Sequence, residues 1–138
     1  MVAYNKINSF VEALAEKVHN LGSDQLKIAL CDAAHAPVVG NTQLSDLTQI
    51  SYTNLSSRNV TTTSSAQSGG TYKLTLVDLV LLASGGSVAP FRYAVLYNDT
   101  AANDELIAWF DYGSDLTLAS GNSFTIDFDG TGGALTLA

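Results

Sequence analysis

Apolar positions near the start of the chain are spaced three and four residues apart, which is the spacing of one face of an α-helix. These positions are Ile7, Phe10, Val11, Leu14, Val18 and Leu21. Ser9 and Glu12 have the spacing of a capping box, and Gly22 stands where a left-handed helix C-cap is favoured. The pattern therefore predicts one helix over about residues 7–21.

From residue 26 onward the pattern is that of strands. LKIALCD (26–32) alternates between two faces, and TYKLTLVDLVLLAS (71–84) predicts one long strand. Gly85-Gly86 predicts a turn, and FRYAVLYN (91–98) predicts the next strand. Further short strands are predicted in ELIAWFDYG, DLTLAS, FTIDFD and GALTL. Short strands separated by turn residues about every 8–12 positions predict a mainly β chain, as a sandwich or jelly roll.

The chain is predicted to form a single domain over residues 1–138. Residues 33–70 are the least periodic part, and they predict long loops with one or two exposed strands. No internal repeat and no linker divides the sequence. The β-sandwich is therefore expected to take up about residues 26–137, after the helix.

Few charges are present, which changes the expected surface. Charged residues make up 14% of the chain and hydrophobic residues 46%, whereas an average soluble domain has roughly 25% charged residues. A surface of Ser, Thr, Asn and Gly is typical of rigid β-proteins and of subunits that bury surface in an assembly. The content of apolar residues argues against disorder.

The net charge of −7 lies entirely in residues 93–138, because six acids balance six bases in residues 1–92. Such a chain is expected to repel nucleic acid and anionic membranes. No apolar run approaches the roughly 20 residues that span a bilayer. The opening residues lack the pattern of a secretory signal, and the single Cys31 permits no intramolecular disulfide. Both observations fit a reducing cytosol.

Acid–base chemistry has few candidates, since His19 and His35 are the two imidazoles. His19 is expected to be a partly exposed residue near the end of the helix, where the dipole favours a cation. His35 follows Cys31 and Asp32 closely, and the three side chains could bind a metal. The simpler interpretation is a strand end that enters a loop, because zinc needs three or four ligands and no second cluster exists. No metal or cofactor is predicted.

Paired carboxylates for glycoside hydrolysis could be sought among Asp111, Asp127 and Asp129. In FTIDFD, however, the aspartates alternate with apolar residues, as the outward face of a half-buried strand should. DFDGTGG starts like a calcium loop but lacks the third Asx residue and the distal glutamate. The sequence therefore predicts no catalytic residues and no enzyme activity.

Arg92 is the last basic residue and lies in a strand that is apolar on both faces, so a central strand is predicted. A charge near a core needs a partner, and Asp111 is the first choice, with a subunit contact as the second. Aromatic residues follow in the same part of the chain. They are Tyr93, Tyr97, Trp109, Phe110 and Tyr112. They predict core or interface packing, or alternatively a platform that stacks on sugars. Arg92, Tyr97 and Trp109 are the candidate interface residues.

Three stretches carry a family resemblance: residues 4–34, 68–99 and 106–130. They read YNKINSFVEALAEKVHNLGSDQLKIALCDAA, SGGTYKLTLVDLVLLASGGSVAPFRYAVLYND and LIAWFDYGSDLTLASGNSFTIDFDG. Together they resemble small structural proteins of tailed bacteriophages, above all the capsid decoration, or cement, proteins. The resemblance rests on general sequence texture more than on a diagnostic motif, and residues 33–65 match least.

The resemblance implies a jelly-roll-like antiparallel β-sandwich with one N-terminal α-helix. It also implies a homo-oligomer, dimer or trimer, that is made in the bacterial cytoplasm and binds the outer surface of the assembled head. There it would bridge subunits of the major capsid protein, with particle-specific contacts expected in residues 33–65. The alternative is a carbohydrate-binding or tail-associated receptor-binding module that uses Trp109 and the tyrosines.

Overall fold

The computed structural model describes residues 2–138. One α-helix, α1, spans Phe10–Ala15, and a short 3₁₀ helix spans Leu44–Asp46. The strands are β1 (Asn5–Lys6), β2 (Leu26–Cys31), β3 (Asn59–Val60), β4 (Thr62–Ser68), β5 (Thr71–Leu76), β6 (Leu79–Leu82), β7 (Phe91–Asn98), β8 (Leu106–Leu116), β9 (Ser123–Ile126) and β10 (Leu135–Leu137). The prediction of a mainly β chain with one helix is confirmed. No helix in these residues is long and apolar enough to cross a bilayer.

The strands form three antiparallel sheets. The largest has five strands in the order β1-β8-β7-β2-β3, the next has the order β10-β5-β4, and the smallest pairs β6 with β9. The antiparallel pairing agrees with the strand pattern of the sequence, while the jelly-roll arrangement stays a prediction.

β7 is the central strand of the five-stranded sheet, as the sequence predicts. Leu96 is paired with Ile28 of β2 on one side and with Ala108 of β8 on the other. All three side chains are fully buried. Pro90 comes directly before β7, where the missing backbone N–H breaks no ladder hydrogen bond.

The long segment 32–58 crosses one face of this sheet. Near the start of β8, Leu106 N–H donates to the Thr42 carbonyl (3.0 Å), and farther along the segment Ile50 N–H donates to the Leu30 carbonyl of β2 (3.0 Å). Since β7 lies between β8 and β2, the segment passes over β7. Its half-buried apolar side chains pack against the core, and they are Leu44, Leu47, Ile50, Tyr52 and Leu55.

Aromatic contacts link the other face of the sheet to the region around β9. Phe91 packs edge-on against Phe124 with ring centroids 5.5 Å apart, and Phe110 packs edge-on against Phe128 at 6.0 Å. Because both faces are covered, seven of the eight residues of β7 are buried. The core of the protein therefore lies around β7.

The helix is much shorter than predicted, at residues 10–15 in place of about 7–21. It ends because Lys17 adopts a left-handed backbone with φ of 69°. The Val18 and Lys17 N–H groups then donate to the carbonyls of Ala13 (2.8 Å) and Leu14 (3.4 Å), which is the Schellman pattern. The C-cap predicted at Gly22 is wrong for that reason.

The predicted capping box is also absent, since Ser9 makes no side-chain cap hydrogen bond. Ile7 and Leu21 are nevertheless buried, as their apolar spacing indicated. They reach the core from outside the helix. The apolar periodicity therefore identified Ile7, Phe10 and Leu21 correctly as buried. It overestimated the length of the helix, and it included Val11, which is 48% exposed.

The single long strand predicted over residues 71–84 is two strands, β5 and β6, which belong to different sheets. The break falls at Val77 and Asp78. Val77 N–H donates to the Thr61 carbonyl (2.9 Å), and the Asp78 carboxylate accepts the Phe128 N–H (2.9 Å). These bonds turn the chain from one sheet into the other. β8 also continues through Gly113 as far as Leu116, so the strand predicted in DLTLAS (115–120) is wrong apart from its first two residues.

Candidate interaction surfaces

Arg92 forms a two-pronged ion pair with Asp111. Its Nε and Nη2 atoms donate to Oδ1 (2.8 Å) and Oδ2 (3.0 Å) of the carboxylate. The partner predicted from the sequence is therefore confirmed. A register shift between Phe91 and Tyr93 interrupts the regular alternation there. The side chains of Arg92 and Asp111 stay 29% and 38% exposed, so the pair lies at the surface and not in the core.

The pair is held in its charged form at both ends. The hydrogen bonds from Arg92, followed by one from the Gly113 N–H (2.8 Å), lower the pKa of Asp111. The same carboxylate raises the pKa of Arg92, mainly through its hydrogen bonds. Both charges are thus fixed in place at neutral pH and satisfied within the chain.

The other two candidate interface residues differ in exposure. Tyr97 is only 2% exposed, so its ring has little surface to offer a partner. Burial also raises the pKa of Tyr97. Trp109 lies on β8 between Asn5 of β1 and Val95 of β7 and is half-buried. The interface prediction therefore rests on Arg92 and Trp109.

The aromatic residues of β7 and β8 do not share one face. Trp109 is opposite Val95 in the register, while its neighbours Phe110 and Tyr112 point to the other face of the sheet. Tyr112 packs edge-on against Phe124 with centroids 4.9 Å apart, and burial raises the pKa of its hydroxyl to about 12. A sugar platform built from all five aromatics is not formed by these side chains.

His19 is buried, contrary to the exposed position expected from a longer helix. It is 5% exposed, and its ring lies against Phe10 with centroids 5.4 Å apart. The helix ends before His19, so the chain turns inward and carries the imidazole with it. Burial lowers the pKa of His19, which is opposite to the effect expected from a helix dipole.

A buried polar network surrounds His19. The Asn98 amide nitrogen donates to His19 Nδ1 (3.0 Å) and to Asp24 Oδ2 (2.6 Å). The Asn98 amide oxygen accepts the N–H groups of Thr100 (2.9 Å) and Ala101 (3.1 Å), which fixes the orientation of the amide. The imidazole therefore carries its proton on Nε2, and this atom is buried without a hydrogen-bond partner in residues 2–138.

Sequence reasoning missed this network because its members are far apart in the chain. Asn98 is separated from Asp24 by 74 residues and from His19 by 79. A single polar residue at the end of the apolar strand 91–98 was the available signal. The network joins the segment after α1 to the turn between β7 and β8, so it stabilises the fold at this end of the molecule.

His35 and Cys31, the other candidates, are not arranged as a metal site. His35 Nδ1 lies 2.6 Å from Asp32 Oδ1 at the surface, while Cys31 is fully buried. Burial and the nearby Asp32 raise the pKa of the Cys31 thiol to about 11. Among the described residues, no three His, Cys, Asp or Glu side chains are placed to hold a metal ion.

The aspartates of FTIDFD lie outside the core, as the alternation predicted. Asp127 is exposed, and Asp129 accepts the N–H groups of Thr131 (2.9 Å) and Gly132 (2.7 Å) through Oδ1. These hydrogen bonds lower the pKa of Asp129. Its carboxylate thus shapes the turn that leads to β10.

Apolar side chains exposed on one face of β6 were not anticipated. Val80 and Leu82 are 53% and 43% exposed. Leu79 and Leu81, which alternate with them, point toward the core. A run that is apolar on both faces signals either burial on both faces or a contact surface, and the two-stranded sheet buries only one face. We call Val80 and Leu82 the β6 patch.

The fold and these surfaces define an antiparallel, mainly β protein with a small exposed apolar patch. No protein-family model, curated protein or solved structure matches the chain. The function is therefore inferred from the residues and their arrangement.

Proposed function

We propose that this chain is a structural protein of a tailed-phage virion that decorates the outside of the head and stabilises it by bridging major capsid subunits. The proposal rests first on the resemblance of residues 4–34, 68–99 and 106–130 to capsid decoration proteins. In the same proposal, the three sheets together make the jelly-roll-like sandwich of that family. The chain then acts as a homo-oligomer, a dimer or a trimer, on the virion surface.

The β6 patch is the structural observation that best supports the proposal. Exposed apolar residues that alternate with buried ones on a strand form a rigid surface that an assembly partner can cover. Burying such a surface stabilises a contact by about 25 cal/mol for each Å² of apolar area. A decoration protein needs such a surface, because it must hold a preformed shell without rearranging.

Imaging of purified particles tests the proposal. Particles of the phage that encodes the chain are expected to show density for this fold on the outer surface of the head, at a copy number comparable to that of the major capsid protein. Absence of the chain from purified particles would contradict the proposal.

Binding of the recombinant chain to particles that lack it tests the patch. Val80→Asp is expected to weaken binding at least about tenfold, since a charge in an apolar contact is left without a partner. Ala102→Asp, at an exposed position in the turn between β7 and β8, adds the same charge and is the matched control. Equal binding by the two variants would show that the patch lies outside the contact.

A further inference from the structure

Three adjoining cavities follow the last strand. The first, about 220 Å³, lies between Tyr4 and residues 127–134. The second, about 450 Å³, lies between α1 and residues 132–137. The third, about 520 Å³, lies between the end of α1 and β5. Tyr4, Gly133 and Ala134 line both the first and the second, and Leu137 lines both the second and the third. We call this continuous depression the α1–β10 groove.

One wall of the groove is an unpaired strand edge. β10 pairs with β5 along one side, and no other strand of the described chain pairs with it. Every residue from Gly132 to Leu137 lines the second cavity, so this cavity runs along the open edge. Backbone N–H and C=O groups on such an edge can pair with an added strand.

The opposite wall is apolar and comes from α1 and the residues just after it. Val11 is exposed, and Leu14 and Val18 are half-buried. Leu137 of β10 lies between the second and third cavities and is 39% exposed. An added strand places every second side chain on the same face, roughly 7 Å apart. Apolar residues at alternate positions of that strand would therefore meet this wall.

The groove also borders two of the four basic side chains that form no salt bridge in residues 2–138. Of the six bases in the sequence, Arg92 is paired with Asp111 and Lys27 lies 3.9 Å from Asp99. Arg58 is placed over the Tyr52 ring. Within residues 2–138, the three lysines that remain form no salt bridge.

Two of these lysines border the second and third cavities. Lys6 lines the second cavity and Lys17 lines the third, whereas Lys73 lines neither, and its Nζ donates to the Thr131 carbonyl (3.0 Å). Asp24 also lines the third cavity, so the linings of the second and third cavities carry two lysine charges and one carboxylate. The acids Asp127 and Asp129 line only the first cavity. In a chain of net charge −7, the excess of one positive charge along the second and third cavities therefore favours a ligand that carries a carboxylate.

We propose that the α1–β10 groove binds an extended segment of another protein, which adds to β10 as a strand. The segment has apolar side chains at alternate positions and carboxylates where it passes the lysines. The strand edge supplies the affinity through backbone hydrogen bonds, while the apolar wall and the lysines select the sequence. The proposal is independent of the capsid as partner, since it uses a surface other than the β6 patch.

Titration of the full chain with a peptide pool tests the proposal, with backbone amide NMR shifts as the measurement. The probe is an N-acetylated, C-amidated heptapeptide pool, Φ-Thr-Φ-Thr-Φ-Asp-Glu, where Φ is Val, Leu or Ile. Saturable shifts are expected in residues 11–18 and 132–137, with half-saturation below about 1 mM. A pool ending in Lys-Lys is expected to bind roughly tenfold more weakly, because the lysines repel it.

Two leucines of similar exposure provide matched variants, Leu137 at 39% and Leu82 at 43%. Leu137→Glu is expected to weaken binding of the acidic pool at least about tenfold, whereas Leu82→Glu leaves it unchanged. Lys17→Gln serves as a second variant that keeps the apolar wall. It is expected to weaken binding of the acidic pool, while binding of an uncharged Φ-Thr-Φ-Thr-Φ-Thr-Thr pool stays unchanged.

Four outcomes would overturn the proposal. The first is the absence of saturable shifts up to about 1 mM acidic pool. The second is equal binding of the acidic and lysine pools. The third is a set of shifts centred elsewhere, for example on the open edge of β4. The fourth is a change of the groove signals with protein concentration before any peptide is added. That result would show that a second copy of the chain occupies the groove.

Discussion

The five-stranded sheet and the three-stranded sheet differ in how deeply their strands are buried. In β7, at the centre of the first, seven of eight residues are buried. In β4, at the edge of the second, no residue is fully buried. The segment 32–58 and the aromatic residues around β9 cover both faces of the first sheet, whereas the second leaves the outer edges of β4 and β10 open.

This difference suggests that the five-stranded sheet mainly stabilises the fold, whereas the three-stranded sheet is free to bind a partner. Buried apolar area and satisfied polar groups concentrate around β7, so the global free energy of unfolding depends mainly on that region. The three-stranded sheet has open edges and exposed side chains, and it borders the groove proposed to bind a partner. Its outer strands are expected to contribute less to stability and to open more readily.

The largest expected effect on stability comes from truncating a buried side chain of β7. Leu96→Ala is expected to lower the free energy of unfolding by about 2–5 kcal/mol, because it leaves a cavity in the core around β7. Leu137→Ala, on the partly exposed β10, is expected to cost less than about 1 kcal/mol. Chemical denaturation of both variants measures the difference, with the exposed Leu82→Ala as a further control. Equal losses would show that the two sheets are equally important for stability.

The next largest effect is expected at the buried polar end of β7. Asn98→Ala removes the partner of His19, Asp24 and two backbone N–H groups, so the free energy of unfolding should fall by about 2–3 kcal/mol. Asn103→Ala changes an exposed amide in the same turn and is expected to have little effect. Denaturation curves that coincide for the two variants would contradict the importance of the network.

The sequence predicted the local features of both sheets better than their assembly. β2, β7 and the Arg92–Asp111 pair follow from alternation and charge balance, which are properties of nearby residues or of a simple count. The break at Val77 and Asp78 depends on bonds to Thr61 and Phe128, which lie far away in the chain. The same limit hid the β6 patch, since exposure of Val80 depends on how many strands join β6.

The helix was overestimated for a related reason. Apolar spacing shows which residues are buried, but it does not show where the backbone leaves the helix. The left-handed conformation of Lys17 has no sequence signal, because lysine is normally a good helix former. His19 was consequently predicted at the surface, and its network with Asn98 and Asp24 could not be foreseen. The α1–β10 groove depends on that turn and on the open edge of β10.

A smaller effect is expected from protonation of His19. Its pKa is lowered in the folded state, so the unfolded chain binds the proton more readily. Stability should therefore decrease as the pH falls below the ordinary histidine pKa of about 6.5, by at most about 1.4 kcal/mol per pH unit. Protonation also places a proton on Nδ1, where Asn98 donates. Asp24 and Glu105 oppose the decrease, because their negative charges favour the imidazolium.

Denaturation at pH 7.5, 6.5 and 5.5 measures this dependence. His19→Gln is expected to flatten the decrease between pH 6.5 and 5.5. The difference between the unmodified chain and this variant isolates the contribution of the buried imidazole. A decrease that His19→Gln does not alter would show that another group is responsible.

The smallest expected effect is a gain in stability at the end of α1, beside the three-stranded sheet. Lys17 has a φ of 69°, which costs a residue with a Cβ about 1–2 kcal/mol but is natural for glycine. Lys17→Gly and Lys17→Ala remove the same charge and differ only in the Cβ. The glycine variant is expected to be more stable than the alanine variant by only about 1 kcal/mol, because the greater flexibility of glycine in the unfolded chain offsets part of the relieved strain. Thermal unfolding of the two variants measures the difference. Equal stability of the two variants would show that the Schellman turn is too loosely held to define one wall of the groove. The end of α1 would then resemble the open edge of the three-stranded sheet and not the rigid centre around β7.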